Sequence, residues 1–377
     1  MRPTRSRQAG ATPVSRHGSI DSVRARAFTV PTESPESDGT LAWESTTIVV
    51  CEVTAGGEEG IGYTYSSPAA ADVVNGTLAT VVTGSDPMAT GAIWADMVRS
   101  IRNLGRPGIA SCAISAVDIA VWDLKARRLG VSVADALGRV HESVPVYGSG
   151  GFTSFDDLEL GSQLRGWVDQ GIRSVKMKVG TAPADDPRRV AVARAAIGEG
   201  VGLFVDANGA YSCAQAQELA GRFADSGVSW FEEPVSSDDL PGLARVRAGA
   251  PAGVEVAAGE YGYDLPYFRS MLEAGAVDCL QADVTRCGGI TGFSRVAALA
   301  DSHCIDLSSH TAPSVSAHTC AGVWHLRHLE YFSDHVRLES MIFDGVLGPQ
   351  DGCLWPDPQR RGLGLLLKEA DAERFAR

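Results

Sequence analysis

Apolar and polar positions alternate along Val23-Arg24-Ala25-Arg26-Ala27-Phe28-Thr29-Val30, again along Thr46-Thr47-Ile48-Val49-Val50-Cys51-Glu52-Val53, and again along Glu59-Gly60-Ile61-Gly62-Tyr63-Thr64-Tyr65. That period of two predicts three strands. The stretch 31–39, rich in Pro, Ser, Glu and Asp, predicts a loop between the first two, so an antiparallel meander is expected. The period then lengthens. Helices are predicted at about 68–83, 88–103 and 109–128, the last with Ile114, Val117, Val121 and Trp122 forming a stripe suited to burial. Strands followed by helices describe an α+β domain over 22–140.

After Leu137-Gly138 the pattern becomes short apolar runs separated by helical periodicity. Runs at 144–147, 174–179, 202–206, 228–232, 254–260, 277–283, 304–309 and 329–332 predict eight strands. Helical patterns such as 186–199, 213–226 and 291–303 fall between them. This alternation over 141–344 predicts an α/β barrel of the (β/α)8 type, with room for one helix fewer than strands. The first 21 residues hold Arg2, Arg5, Arg7 and Arg16 without an amphipathic face, so a disordered tail is expected rather than a transit peptide.

Chemistry in such barrels gathers at the C-terminal ends of the strands. The second barrel strand reads Ser174-Val175-Lys176-Met177-Lys178-Val179, which puts Lys176 and Lys178 on one face. The chain has only four lysines against 29 arginines, and lysine is the cation that can lose its proton when desolvated. Two neighbouring ammonium groups predict a lowered pKa and a base; a basic edge strand is the plainer alternative. The next three strands end in Asp206, Glu232 and Glu260, with Asn208 two residues beyond the first. Each acid alone could be a helix cap or a solvated loop residue. Converging at one rim, they call for a cation, and an all-oxygen set favours Mg²⁺. Glu233, beside Glu232 but on the other side of an extended strand, reads as structural.

Asp283 ends the sixth strand, His310 the seventh, and Glu330 lies on the eighth. An aspartate that accepts from one imidazole nitrogen orients the ring and leaves the other nitrogen free as acid or base. A lysine and a histidine facing each other over a metal suit abstraction of a proton next to a carboxylate. His318, His325 and His328 are expected on the helical stretch after His310, as structural or surface groups, and His303 at the opposite rim.

Bulk properties exclude other functions. The formal net charge of −13, with no basic run beyond the first residues, argues against nucleic acid. Eight scattered cysteines without a C-x-x-C pair, Cys279 and Cys304 among them, read as buried thiols in a reducing compartment, and a cytoplasmic location is expected. No apolar run is long enough to span a membrane. The sequon Asn75-Gly76-Thr77 reads as chance.

Taken together, the helix motif Ala113-Ile114-Ser115-Ala116-Val117-Asp118-Ile119-Ala120-Val121-Trp122-Asp123-Leu124, Lys176-Met177-Lys178, Asp206 with Asn208, Glu232-Glu233-Pro234, Gly259-Glu260, Asp283 followed by Gly288-Gly289-Ile290-Thr291, Ser308-Ser309-His310 and Glu330 resemble the enolase superfamily, in particular its mandelate racemase-like group. The resemblance implies a modified TIM barrel, (β/α)7β, under an α+β capping domain that the C-terminal 345–377 completes. It implies Asp206, Glu232 and Glu260 as Mg²⁺ ligands, Lys178 as base on one face, and His310 with Asp283 as acid or base on the other. Lys176 would lower the Lys178 pKa and meet the substrate carboxylate. A protonated Glu330 would donate to the enediolate oxygen. Asn208 would contact substrate, and so would Trp43, in the capping loop 32–43. The muconate cycloisomerase-like groups, which place a lysine at the end of the sixth strand where this chain has only the neighbouring Arg286, fit less well. So does the glucarate dehydratase-like group, whose third ligand is asparagine.

The polar, acid- and hydroxyl-rich capping loop favours a dehydratase of an aldonic or aldaric acid over a racemase or epimerase of a 2-hydroxy acid, although Trp43, Tyr63 and Tyr65 could wall an apolar pocket. A small carboxylate substrate and a homo-oligomer are implied; a catalytically idle barrel is the reading from another class.

Overall fold

β1 (Ser22–Ser37), β2 (Ala42–Ala55) and β3 (Glu58–Tyr65) pair antiparallel in that order. The computed structural model describes residues 18–377. Of the expected tail, residues 1–17 lie outside the described residues, while Ile20 is buried and its N–H donates to Ser85 O at 2.9 Å. The strand alternation buries both faces of the sheet. Phe28, Val30, Ile48, Val50, Ile61 and Tyr63 join the core shared with the barrel, and Ala25, Val49, Cys51 and Val53 join a second core under helices Thr90–Ser100 and Ile109–Leu129. Ile109–Leu129 is buried nearly all round, as befits a helix wedged between sheet and barrel. Asp118 on it accepts from Thr291 N at 2.8 Å and Thr291 Oγ1 at 2.7 Å, tying cap to barrel.

The stretch 31–39 departs from the expected loop. β1 runs on to Ser37, its register shifting between Pro31 and Glu36 before Glu36 pairs with Trp43 and Ser37 with Ala42. Proline removes a ladder donor and forces the irregularity without ending the strand.

Eight parallel strands close the barrel: β4 (Val144–Gly150), β5 (Ser174–Lys178), β6 (Gly202–Asp206), β7 (Val228–Glu232), β8 (Glu255–Ala258), β9 (Cys279–Ala282), β10 (Asp306–Ser309) and β11 (Leu326–Phe332), with β11 returning to β4. Seven helices lie between successive strands, and Ser333–Ile342 follows β11. Val175 and Met177 face the outer helical layer, so Lys176 and Lys178 face the interior. Below them Tyr147, Phe204 and Trp230 fill the barrel. His328 sits among these rings, 4.7 Å from Tyr147 and 5.0 Å from Trp230, on β11 and not on the helical stretch expected; His325 also falls outside a helix. Burial holds the His328 imidazole neutral, with its pKa lowered to about 3.

Beyond residue 345 the chain touches both parts. Cys353–Leu354 pairs with the start of β4, and Arg26 bonds Glu369 and Glu52. All eight cysteines are free, and Cys304 is exposed where a buried strand position was expected, because β10 begins only at Asp306. Among the described residues no helix is long and apolar enough to cross a membrane.

Candidate active site

Adjacent strands deliver the three carboxylates. Asp206 ends β6, pairs in register with Lys178 of β5 on one side and with Glu232, the end of β7, on the other; Glu260 follows β8 by two residues. Gly259 makes that last turn at φ +134°, and a Cβ there would lie 2.1 Å from Gln281 O, so only glycine brings Glu260 inward. One oxygen from each of Asp206, Glu232 and Glu260 lies within 4.8 Å of the others, and all three residues are buried. Lys176, fully buried, reaches Glu232 at 2.5 Å, Glu330 at 2.8 Å and Asp206 at 3.2 Å. Lys178 reaches Asp206 at 2.6 Å and Asn208 Oδ1 at 3.1 Å.

His310 stands at the other end of the triad. Its Nδ1 is 2.8 Å from Asp283 Oδ2, while its Nε2 is 3.1 Å from Glu260 Oε2 and 3.5 Å from Glu330 Oε2. Asp283 is fixed by Thr285, whose N and Oγ1 donate to it at 2.6 and 2.7 Å. The next two residues, Thr311 and Ala312, adopt φ of 45° and 47°; Asn208 and Glu233 also sit in the left-handed region, at 44° and 38°. Non-glycine residues held there beside strand ends mark a rim where backbone strain is tolerated for geometry.

Charge decides what these groups can do. Burial alone would lower the lysines, but the carboxylates outweigh it. Asp206 holds Lys178 above the ordinary lysine value, and Glu232 and Glu330 do the same for Lys176. The expectation that pairing two lysines suffices to make a base is therefore corrected: without a counter-charge on the triad, both stay ammonium. Burial pushes Glu232 up to about 8, against the pull of Lys176. Glu330 is opposed by burial, but Lys176 and His310 hold it below the usual carboxyl range, the opposite direction to that of a protonated donor. His310 rises to about 10 because Glu260, Glu330 and Asp283 outweigh burial. Five buried carboxylates (Asp206, Glu232, Glu260, Asp283, Glu330) crowd one cluster, with Lys176, Lys178, Arg286 and His310 among them. An all-oxygen triad whose members oppose one another's ionisation, as Asp206 and Glu260 do at Glu232, fits a divalent cation such as Mg²⁺.

Above the triad lies a cavity of about 410 Å³, walled on the barrel side by Lys178, Asn208, Glu260, His310 and Glu330 and on the cap side by Asp38, Trp43, Thr46 and Tyr65. Trp43 packs edge-on against Phe152 at 5.7 Å and donates Nε1–H to Glu36 at 2.9 Å. Tyr65 lines the cavity too, whereas Tyr63 is core.

Residues 23–138 match the N-terminal domain of the family described as mandelate racemase / muconate lactonizing enzyme, and residues 159–371 match the enolase C-terminal domain-like family. The chain belongs to the mandelate racemase/muconate lactonizing enzyme family. A mandelate racemase/muconate lactonizing enzyme-like protein from Rubrobacter xylanophilus is 54% identical, with a TM-score of 0.94 over 95% of this chain and 100% of that one. The 3,6-anhydro-alpha-L-galactonate cycloisomerase of Streptomyces coelicolor is 32% identical over 95% of this chain and 99% of its own. The L-talarate/galactarate dehydratase of Salmonella typhimurium, solved with Mg and L-lyxarohydroxamate, is 28% identical with a TM-score of 0.88, covering 98% of this chain and 96% of that one.

For this family member, the structure brings all ten residues singled out in the sequence to one cavity or to the cluster beneath it. Reasoning from sequence missed four others. Arg286 lies 3.7 Å from Glu260 and 3.5 Å from Asp283; Tyr261 stacks on it at 5.1 Å; Asp334 and His335 line the cavity from the helix after β11. Arg286, three residues past Asp283, was the legible one. Glu233 is also closer to the chemistry than an outward strand position implied: burial, with Glu260 and Asp206 next, raises its pKa well above the carboxyl range.

Proposed function

We propose that this protein removes the α-proton of an acid sugar and expels the β-hydroxyl as water, giving a 2-keto-3-deoxy acid. One observation carries the reading: Lys178 meets the carboxylate triad at Asp206 while His310 meets it at Glu260, which sets one proton-transfer group at each end of one buried cluster. Asp206, Glu232 and Glu260 would hold Mg²⁺, whose charge acidifies a bound carboxylate's α-proton and relieves the triad's pull on Lys178.

The chain's own groups then have distinct tasks. Lys178 Nζ, at the cavity wall, takes the α-proton. The C–H electrons form the Cα–Cβ double bond as the Cβ–O bond breaks. His310 Nε2 gives the departing hydroxyl its proton, Nδ1–H being held by Asp283, and the enol left behind tautomerises to the ketone. Lys176, with three carboxylate partners and no exposure, keeps its proton and places a fixed positive charge under the substrate carboxylate. The dehydratase and cycloisomerase names among the relatives support chemistry that begins with such an abstraction.

The two-ended arrangement also favours a second reading: if His310 returns a proton to Cα, the product is the epimer. Incubating the Mg²⁺-loaded protein with sugar acids in D₂O separates these. A keto product fixes dehydration, α-deuterium without loss of water points to racemisation or epimerisation, and neither, with any acid, leaves an idle barrel and overturns both.

A further inference from the structure

The two ends of the cavity differ in charge. At the rim end both fixed cations that line it are already committed: Lys178 to Asp206, and Arg286 to Glu260 and Asp283. At the capped end, among the described residues, there is neither Lys nor Arg. The wall there includes Asp38, Trp43, Thr46, Tyr65, Asp334 and His335. Asp38 turns Oδ1 to the N–H groups of Thr40 and Leu41 at 2.6 and 2.7 Å, and Asp334 accepts from Thr46 Oγ1 at 2.5 Å. Arg337, which does not line the cavity, donates through one nitrogen to both Pro31 O, at 2.9 Å, and Asp334, at 3.0 Å.

His335 supplies the second observation. It is only 7% exposed, stacks on Tyr65 with ring centroids 3.4 Å apart, and lines the cavity, yet its Nδ1 has no hydrogen-bond partner. Burial, reinforced by the charge of His310, holds the ring neutral. A buried nitrogen without a partner costs free energy, and a bound group that bonds to it recovers that cost.

We infer that the capped end reads an uncharged, hydroxyl-bearing chain terminus, so that the substrate is a polyhydroxylated monocarboxylate and not a diacid, with His335 bonding a hydroxyl remote from the carboxylate. This rests on the proton-abstraction reading above. A second carboxylate would be buried against Asp38 and Asp334 without a free cation to receive it, a like-charge arrangement that works as discrimination. A hydroxyl, both donor and acceptor, satisfies either tautomer of His335 and the carboxylate and hydroxyl groups around it.

The test uses Mg²⁺-loaded protein and matched six-carbon pairs, each aldonate against the aldarate of the same configuration, with keto product and α-deuterium read together in D₂O. The expected result is kcat/KM at least about tenfold higher for the aldonate of the productive pair. Equal or faster reaction of the aldarate overturns the monocarboxylate assignment while leaving proton abstraction intact. Absence of α-deuteration and product with every acid overturns both.

Two variants sharpen it. Thr46→Arg, at a half-exposed position, should shift the ratio at least about tenfold toward the aldarate. His335→Phe keeps the ring stack and should erase the preference for the aldonate over its deoxy analogue lacking the contacted hydroxyl, whereas His335→Gln should restore part of it. If His335→Phe slows both compounds equally, His335 is structural and its contact with substrate is refuted.

Discussion

Lys176 and Lys178 are two residues apart and alike in charge, but their surroundings give them different work. Lys176 has no exposed surface and three carboxylates within 3.2 Å, so its proton is held. Lys178 has one such partner and opens to the cavity. If Lys178 and His310 serve opposite faces of the substrate, removing either should lower turnover by about 10²- to 10⁴-fold. Lys178→Ala and His310→Asn should each still exchange the α-proton of the configuration that the surviving group faces. Following deuterium incorporation into each epimer by NMR checks this. Turnover unchanged in either variant removes that residue from the mechanism.

At the scale of elements, the joint between cap and barrel depends on close approach. Gly60 and Gly62 on β3 face helix Ile109–Leu129, and a Cβ on Gly62 would fall 2.2 Å from Ala116 O and 2.4 Å from Ala120 N. Gly62→Ala should therefore cost about 1–3 kcal/mol by pushing the helix away. Gly76→Ala, in a helical stretch with nothing within 4 Å, should gain roughly 0.5–1 kcal/mol; urea melts of the two read opposite signs. A second joint is polar. Buried Glu339, on the helix after β11, accepts from Tyr63 of β3 and from Ser314 N at 3.1 Å, and burial pushes its pKa up to about 7. Between pH 4.5 and 7 the folded state thus binds more protons at this site than the unfolded chain, so its contribution to stability falls as pH rises through that window. Glu339→Gln removes that dependence. The variant keeps a carbonyl oxygen for Ser314 N–H, so it should lie within about 1 kcal/mol of wild type at pH 5, and the difference should shift in the variant's favour toward pH 7. A gap that does not change with pH would mean Glu339 is already ionised in the fold. These same joints explain what the sequence hid. Barrel strands were legible because strand periodicity is local and several apolar runs end in a carboxylate, as at Asp206, Glu232 and Asp283. Asp334 and His335 were not, because Ser333-Asp334-His335 looks like an ordinary exposed helix start; their burial comes from Thr46 and Tyr65, nearly 300 residues earlier in the chain. β1 beyond Pro31 was hidden likewise, since only pairing across to Trp43 keeps it a strand.

For the whole molecule the question is what compensates five buried carboxylates. Burying like charges side by side is costly, and Asp206 and Glu260 both oppose ionisation of Glu232 between them. A divalent cation bound only by the folded chain adds RT ln(1 + [L]/Kd) to stability, about 2.7 kcal/mol at a hundred times Kd. Chelation should accordingly lower Tm by several degrees and Mg²⁺ should restore it along a saturating curve. The origin of that shift is tested by Glu232→Gln. Losing one carboxylate reduces the buried repulsion, so the variant should melt closer to wild type in chelator than in Mg²⁺, with its own response to Mg²⁺ weakened or absent. Other folded-state carboxylate sites on a chain of net charge −13 could also take up Mg²⁺, but those would shift both proteins alike. Equal Mg²⁺ curves for the two would therefore remove Glu232 from the ligand set, and a wild-type Tm indifferent to Mg²⁺ would remove the cation from the buried cluster altogether.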